Sequence, residues 1–132
     1  MQEEKFIDRV QEVLKWESRE KTEKGIAAVL ETIGERLEKT ERENLAAQLH
    51  GQLKQHLHKR QNTELFILED FYNRVSSRAD IGYPEAVELS RGVAKVLWEA
   101  VSPGEIEKIL SKWPTEFGEV FGTQTPGPLS PG

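Results

Sequence analysis

The sequence predicts an all-α protein, and three observations support that prediction. Apolar residues recur at helical spacing along almost the whole chain, as Leu45, Leu49, Leu53 and Leu57 do at intervals of four. No alternating run of β-branched residues between turn residues indicates a strand. Blocks of sequence also occur twice in the same order, which indicates internal duplication of a helical unit. We therefore expect a helical bundle.

The duplication divides the chain into two units. Three blocks recur in order: Phe6, Arg9 and Val10 return as Phe71, Arg74 and Val75; residues 25–30 return as 92–97; and Leu45, Leu49, Leu53 and Leu57 return as Ile109, Trp113, Phe117 and Phe121. We predict one domain over residues 1–121, with repeat one at about 4–58 and repeat two at about 67–121. Residues 122–132, rich in Thr, Pro and Gly, should form a disordered tail.

Each unit should contain three helices and a short fourth. In unit one, apolar stripes mark the first two helices, at Phe6, Val10, Val13 and Leu14 and then at Ile26, Val29, Leu30, Ile33 and Leu37. Thr40 and Glu43 match a capping box, which predicts the start of the third helix. Gly51 weakens the helix before the fourth segment at Leu53 and Leu57.

The residues that begin and end helices are easier to recognise in unit two. Its first helix is predicted by the stripe at Phe71, Val75 and Ala79. Pro84 suits the first turn of the second helix, and Ser102 with Glu105 matches a capping box for the third. Pro114 should end that helix at Trp113, because proline disfavours the α conformation in the residue before it.

Composition limits the class of protein. The chain has 132 residues, a formal charge of −5 and no cysteine, so no disulfide or thiolate zinc site is available. The acidic start differs from a secretory signal, and no apolar run approaches the ~18 residues that a membrane span requires. We expect a soluble, cytoplasmic protein with no membrane association, and the net negative charge makes nucleic acid an unfavourable partner.

The repeated blocks resemble a bacterial and archaeal family, domain of unknown function 2267. The resemblance covers residues 4 to 121 and is carried by Phe-x-x-Arg-Val, by Ala46-Ala47-Gln48-Leu49 and by Trp113-Pro114-x-x-Phe117-x-x-x-Phe121. It implies an all-helical tandem-repeat fold and a soluble protein, and it implies no activity. One departure is His50-Gly51, which stands where such repeats usually carry proline.

No constellation of residues indicates catalysis. The Glu-x-x-His spacing of a di-iron bundle is absent, as are a phosphate-binding loop, a dinucleotide fingerprint and a nucleophile elbow. We expect a protein that is not an enzyme, with no cofactor and no metal.

One basic segment stands out in this acidic chain. Residues 44–63 contain no acid and carry all three histidines, and the candidate partner-binding residues are Lys54, His56, His58, Lys59 and Arg60. One interpretation is a helix C-terminus complemented by cations. The other is a docking patch for an acidic partner, a phosphate or a nucleic acid.

Comparison of the two units singles out three further features. Trp98 aligns with Glu31, a position that we expect to be wet in unit one, so Trp98 either packs between the units or anchors a partner. Gly25 and Gly92 sit inside helices, where glycine costs about 1 kcal/mol relative to alanine. They indicate a close helix approach or a ligand against bare backbone. For Arg9 and Arg74 we favour ion pairs, with Glu41 and Glu105 as the candidate acids, over an anion-binding role.

We predict a non-enzymatic module that binds another protein or itself, through Trp98 and the basic segment. The alternative is binding of a small molecule or an anionic ligand between the repeats, near Gly25 and Gly92. Nucleic-acid binding through Lys54, Lys59 and Arg60 is a third hypothesis, which predicts steep salt dependence.

Overall fold

The structure is a computed structural model that describes residues 1–122. These residues form eight α-helices and one 3-10 turn and contain no strand, which confirms the predicted all-α fold. The helices in chain order are α1 (Glu3–Leu14), α2 (Arg19–Arg36), α3 (Lys39–Ala46), α4 (Gln52–His58), α5 (Leu68–Ala79), α6 (Tyr83–Ala100), α7 (Pro103–Lys112) and, after the 3-10 turn at Thr115–Phe117, α8 (Gly118–Phe121). Of the tail predicted at residues 122–132, all but the first residue lie outside the described part of the chain.

The two halves of the chain contain helices of matching length. Helices α1 and α5 have 12 residues each, and α2 and α6 have 18 each. The shorter helices that follow have eight residues in α3 and ten in α7. A duplication predicts this agreement, although the duplication itself stays a prediction. We refer below to α1–α4 as the first half and to α5–α8 as the second half.

Helix α2 lies at the centre of the fold. Every residue from 28 to 37 is buried, because α2 packs against α1, α4, α5 and α6 at once. A helix surrounded in this way must bury polar side chains as well as apolar ones, and each buried polar group needs a partner. The buried polar residues of this stretch are Glu31, Thr32, Glu35 and Arg36.

The first helix of each half packs on the long helix of the other half. Helix α1 contacts α6 and α5 contacts α2, and an arginine crosses each contact. Arg9 lies 2.6 Å from Glu99, and Arg74 lies 3.0 Å from Glu35. The sequence predicted ion pairs for both arginines. It proposed Glu41 and Glu105, on the third helices, as their partners, and this assignment was wrong.

The repeated glycines lie where helices of the two halves meet. A Cβ on Gly25 would lie 2.9 Å from Leu89, and a Cβ on Gly92 would lie 2.7 Å from Leu14. These distances are shorter than an ordinary van der Waals contact, so any larger residue would push the leucine away. The geometry agrees with the close-approach interpretation of both glycines.

Helix α3 begins and ends earlier than the sequence predicted. Its capping box is formed by Glu38 and Glu41, so the box proposed at Thr40 is wrong by two residues. The helix ends at Ala46 and α4 begins at Gln52. Gly51 precedes α4 with a φ of +60°, a conformation that glycine adopts at no steric cost. The break in the first half is therefore definite even without a proline.

Helix α7 starts at the predicted place with a different cap. Ser102 is the N-cap residue, but its side chain makes no capping hydrogen bond within the helix. The side-chain amide of Gln48 bonds Ser102 instead, accepting from the backbone N–H at 2.7 Å and donating to the hydroxyl at 3.2 Å. A residue of the first half thereby takes the role that the sequence assigned to Glu105. Pro114 ends the helix as predicted.

Gly34 should not tolerate a side chain. A Cβ on Gly34 would lie 2.0 Å from the carbonyl oxygen of Leu57, and a backbone atom cannot rotate away as a side chain can. We expect Gly34→Ala to lower the free energy of unfolding by about 3 kcal/mol, at the upper end of overpacking costs. Urea unfolding followed by circular dichroism measures the change.

Gly104→Ala is the matched control, because nothing lies within 4 Å of a Cβ at that helical position. It should be neutral or slightly stabilising. Equal effects of the two substitutions would contradict the packing of α4 on α2.

Candidate functional site

Among residues 1–122, the two most exposed large apolar side chains lie on the linker between α4 and α5. Leu65 is 75% exposed and Ile67 is 54% exposed, whereas Phe66 between them is 6% exposed. This alternation is typical of an extended segment, in which residues two apart point to the same side. Leu65 and Ile67 therefore present one apolar strip to solvent, and Phe66 anchors the segment in the core.

Two backbone contacts hold the strip against α2. The N–H of Glu64 donates to the carbonyl oxygen of Glu35 at 3.0 Å. The carbonyl oxygen of Phe66 accepts from Nε of Arg36 at 2.7 Å. Arg74 adds a contact from α5, because its guanidinium lies 4.1 Å from the centre of the Phe66 ring. The exposed residues are thus carried by a fixed stretch of backbone.

Arg42 ties the preceding part of the linker to the end of α2. Its side chain donates to the carbonyl oxygens of Gly34 at 2.9 Å and Leu37 at 2.7 Å. The same Leu37 oxygen accepts from the hydroxyl of Thr63 at 2.7 Å. Arg42 is 3% exposed. A buried arginine therefore adds hydrogen bonds at the end of α2, to the Leu37 carbonyl and to the Gly34 carbonyl, which also accepts from the backbone N–H of Leu37.

Beside the apolar strip lies a cleft of about 310 Å³, which we call the linker cleft. Its residues come from both halves of the chain and from the linker: Arg36, Glu38, Glu41, Leu65, Lys112, Trp113 and Pro114. Trp113 and Pro114 stand at the break between α7 and the 3-10 turn. The cleft thus joins an apolar wall with charged groups of both signs.

Arg36 is the most unusual group in the linker cleft. Its guanidinium lies 4.8 Å from the ring centre of Trp113 and 4.7 Å from that of Phe117, yet the residue is only 5% exposed. Burial lowers the pKa of Arg36 below its usual value, and the charge of Glu116 offsets part of that effect. The cation is held by aromatic faces, which attract it through their quadrupoles.

The acid at the opposite side of the cleft already has partners. Glu41 lies 2.9 Å from Nζ of Lys112, and it accepts from the backbone N–H of Glu38 at 3.2 Å. The hydrogen bond to Glu41 raises the pKa of Lys112. This ion pair joins α3 to α7 and fixes the width of the cleft between the halves.

The structure places Trp98 on α6, against the last helix of its own half. The indole N–H donates to the carbonyl oxygen of Phe121 at 2.5 Å, and the ring is partly buried against the core. Both alternatives from the sequence placed Trp98 at a boundary, either between the units or with a partner. The polar end of the side chain is instead bound within the second half, and a role in partner binding stays a prediction.

The residue of the first half that aligns with Trp98 is not exposed to solvent. Glu31 is 9% exposed, so the expectation of a solvated position was wrong. Its carboxylate lies 3.5 Å from Arg60 and 4.0 Å from Lys59. Glu31 and Trp98 thus link the long helix of each half to the end of its fourth helix, one by ion pairs and the other by a hydrogen bond.

Part of the basic segment therefore faces a buried acid of the protein rather than solvent alone. Lys59 and Arg60 face Glu31, whereas Lys54 is exposed on α4. His56 and His58 are half-buried. The structure brings two of the five candidate residues together on an internal acid and leaves Lys54 as an exposed cation. Binding of an external acid by this segment stays a prediction.

Two kinds of site are absent from the part of the chain that the structure describes. Within residues 1–122, no three His, Asp or Glu side chains are grouped to hold a metal ion. Across the same residues, no helix combines the length and apolar composition needed to cross a membrane.

The fold and the cleft define an all-helical protein of two interlocked halves with a preformed apolar strip. The chain belongs to the family of uncharacterized conserved proteins DUF2267, whose model matches residues 3–120. A search of curated proteins gave no significant match.

Sequence reasoning missed the linker strip and Arg36. The signal lay near the junction of the two predicted repeats, in four consecutive apolar residues at 65–68. An extended chain cannot bury four successive side chains on one side. Arg36 gave no signal, because a single arginine at the end of a helix is normally a solvated cation.

Trp98 should stabilise the second half through its indole N–H. We expect Trp98→Phe to lower the free energy of unfolding by about 1 kcal/mol, because the hydrogen bond to Phe121 is lost while most of the ring packing remains. Urea unfolding measures the change. Trp16→Phe is the matched control, because Trp16 contacts Lys21 through its ring face. A loss as large for Trp16 as for Trp98 would contradict this role.

His56 should make the fold less stable in acid. Burial lowers the pKa of His56, while Glu31 and Glu3 oppose that effect and Lys59 adds to it. The unfolded chain then takes up the proton first as pH falls through about 6.5, so stability drops below that pH. Urea unfolding at about pH 7.5 and about pH 5.5 should show a smaller drop for His56→Gln than for the wild type.

His50→Gln is the control for this pH effect, because His50 is exposed in the turn before α4. It should leave the drop between the two pH values unchanged. If His56→Gln also leaves it unchanged, burial of His56 is not a source of the acid sensitivity.

Proposed function

We propose that this chain is a non-enzymatic protein-interaction module that docks a partner protein on the linker strip and the linker cleft. One observation supports the proposal above all others. Leu65 and Ile67 are exposed side by side on a fixed stretch of backbone, next to a cleft of about 310 Å³. Contiguous apolar surface beside a polar rim is typical of interaction sites.

The fixed backbone makes this surface a favourable one for binding. A flexible loop loses conformational entropy when it binds, whereas a segment already ordered avoids that cost. Here Phe66 is buried, and its carbonyl group and the N–H of Glu64 are bonded to α2. The apolar strip is consequently ordered before any partner arrives.

The residues that the sequence favoured have structural partners. The indole N–H of Trp98 is bound to Phe121, and Lys59 and Arg60 lie against Glu31. We therefore assign Trp98 and the inward part of the basic segment to stability, and we place partner docking on the linker. Lys54, exposed on α4, is the residue to vary when testing whether the basic segment binds nucleic acid.

Packing gives little support to a ligand between the halves. Leucine side chains occupy the space directly beside both repeated glycines, Leu89 at Gly25 and Leu14 at Gly92, and the groove of about 340 Å³ along Leu14 and Gly92 is open to solvent rather than enclosed. An apolar cavity elsewhere, lined in part by Ile33 and Leu97, holds about 20 Å³, which is room for roughly one water molecule. The protein-interaction proposal therefore has the better physical basis.

Crosslinking at the strip tests this function directly. We would place a photo-reactive amino acid at Leu65 or at Ile67 in the chain expressed in its own host. Both positions should crosslink to the same protein, because both side chains face one side of the linker. A photo-reactive residue at Lys108, exposed on α7, is the matched control and should give no such product.

The affinity of the two purified proteins is then measured. The double variant Leu65→Ser/Ile67→Ser should weaken binding of the crosslinked partner at least about tenfold, because a few apolar residues usually carry most of the binding energy. Its unfolding free energy should be no lower than that of the wild type, since both side chains are exposed and Ile67 is the N-cap residue of α5, a position that favours serine. Absence of a specific product at both Leu65 and Ile67, or the same product from the Lys108 control, would refute the proposal.

A further inference from the structure

We propose that the linker cleft binds a carboxylate, supplied by an acidic side chain that stands next to an apolar residue in the partner protein. Arg36 is the group that receives the carboxylate. This inference rests on the proposed function, since it names the chemistry of the partner that docks on the same surface. Its basis is Arg36, a buried cation whose side chain makes a single hydrogen bond to the described residues.

Arg36 is buried with no acid of the described chain in direct contact, although the charge of Glu116 favours its charged form from a greater distance. The residue is 5% exposed, and among residues 1–122 no carboxylate lies within 4.0 Å of its guanidinium. Its one hydrogen bond uses Nε, which donates to Phe66. The two Nη groups have no acceptor in the described part of the chain, although the residue lines the linker cleft.

A carboxylate suits this arrangement. A guanidinium presents parallel N–H groups in a rigid plane, which match the two oxygens of a carboxylate. The guanidinium of Arg36 is buried and lies against both Trp113 and Phe117, so little side-chain entropy remains to be lost on binding. Charge attraction is also stronger in a partly dehydrated cleft than in open water.

Charge and hydration together favour a single negative charge over two. Glu38 and Glu41 also line the linker cleft, and they repel an approaching anion. Lys112 compensates only in part, because it is already paired with Glu41 at 2.9 Å. For a dianionic phosphate the repulsion and the attraction both double, but the cost of removing its hydration grows with the square of its charge, so we assign the cleft to a carboxylate.

The walls of the cleft define what stands beside that carboxylate. Leu65, Trp113 and Pro114 are apolar and lie along the same cleft, and Ile67 extends the surface along the linker. A space of about 310 Å³ is at the lower end of the size range of ligand pockets. It fits one or two side chains, which indicates an extended peptide segment with Asp or Glu next to Leu, Ile or Phe.

Peptide selection on the full chain tests this chemistry. A library of random peptides is displayed and selected on the wild-type protein, and the strongest binders are then synthesised with Asp or with Asn at the acidic position. We expect the selected peptides to share an acidic residue beside an apolar one. Exchange of Asp for Asn should weaken binding about tenfold, the effect of losing a charge-assisted hydrogen bond.

The matched protein variant is Arg36→Met, which keeps an unbranched apolar stem and removes the charge. It should bind the Asp and Asn peptides equally. Should this variant fail to fold, the wild type gives the answer by nuclear magnetic resonance. The Nε–Hε signal of Arg36 should shift when the Asp peptide is added and should shift much less with the Asn peptide.

The outcomes separate the two proposals. Peptides that depend on Leu65 and Ile67 but bind equally with Asp or Asn would overturn the carboxylate site and leave the proposed function standing. Selection of no peptide on this surface, or a dimer that Leu65→Ser abolishes in sedimentation, would overturn both. Competition by inorganic phosphate at concentrations where acetate has no effect would show that the cleft prefers the dianion and would refute the carboxylate assignment.

Discussion

The structure depends on the burial of the last turns of α2. Every residue from 28 to 37 is buried, so the carbonyl groups at the end of this helix cannot turn to water for partners. Arg42 supplies hydrogen bonds to two of them, and Arg36 turns away to bond the linker at Phe66. The need to satisfy one buried helix end therefore fixes the course of the chain between the two halves.

The same helix organises the crosswise packing. Helix α5 rests on α2 through Arg74 and Arg78, both about 3 Å from Glu35, while Arg9 connects α1 to α6. The angles at Glu35 leave one carboxylate oxygen without a well-directed hydrogen bond, so these contacts act by charge more than by direction. The first helix of each half packs on the long helices of both halves, so neither half is complete without the other, which favours folding as one unit.

The sequence predicted the helices well and the site poorly, for physical reasons. Helical spacing of apolar residues and the break at Pro114 are local signals, and the structure agrees with both. Glu31 was expected to be exposed to solvent, because glutamate usually is. Ion pairs with the basic segment allow its burial instead. Whether a buried arginine has a carboxylate in direct contact depends on residues that are distant in the sequence. The role of Arg36 could therefore not be read from the residues beside it.

The central claim is that the linker is ordered by α2 before any partner binds. Backbone ¹⁵N relaxation of residues 61–67 in the free protein measures this order most directly. The account predicts order parameters near those of the helices, about 0.85, for the stretch held by Arg36 and Arg42. Values below about 0.6 would describe a flexible loop, and they would contradict both the preformed strip and the cleft beside it.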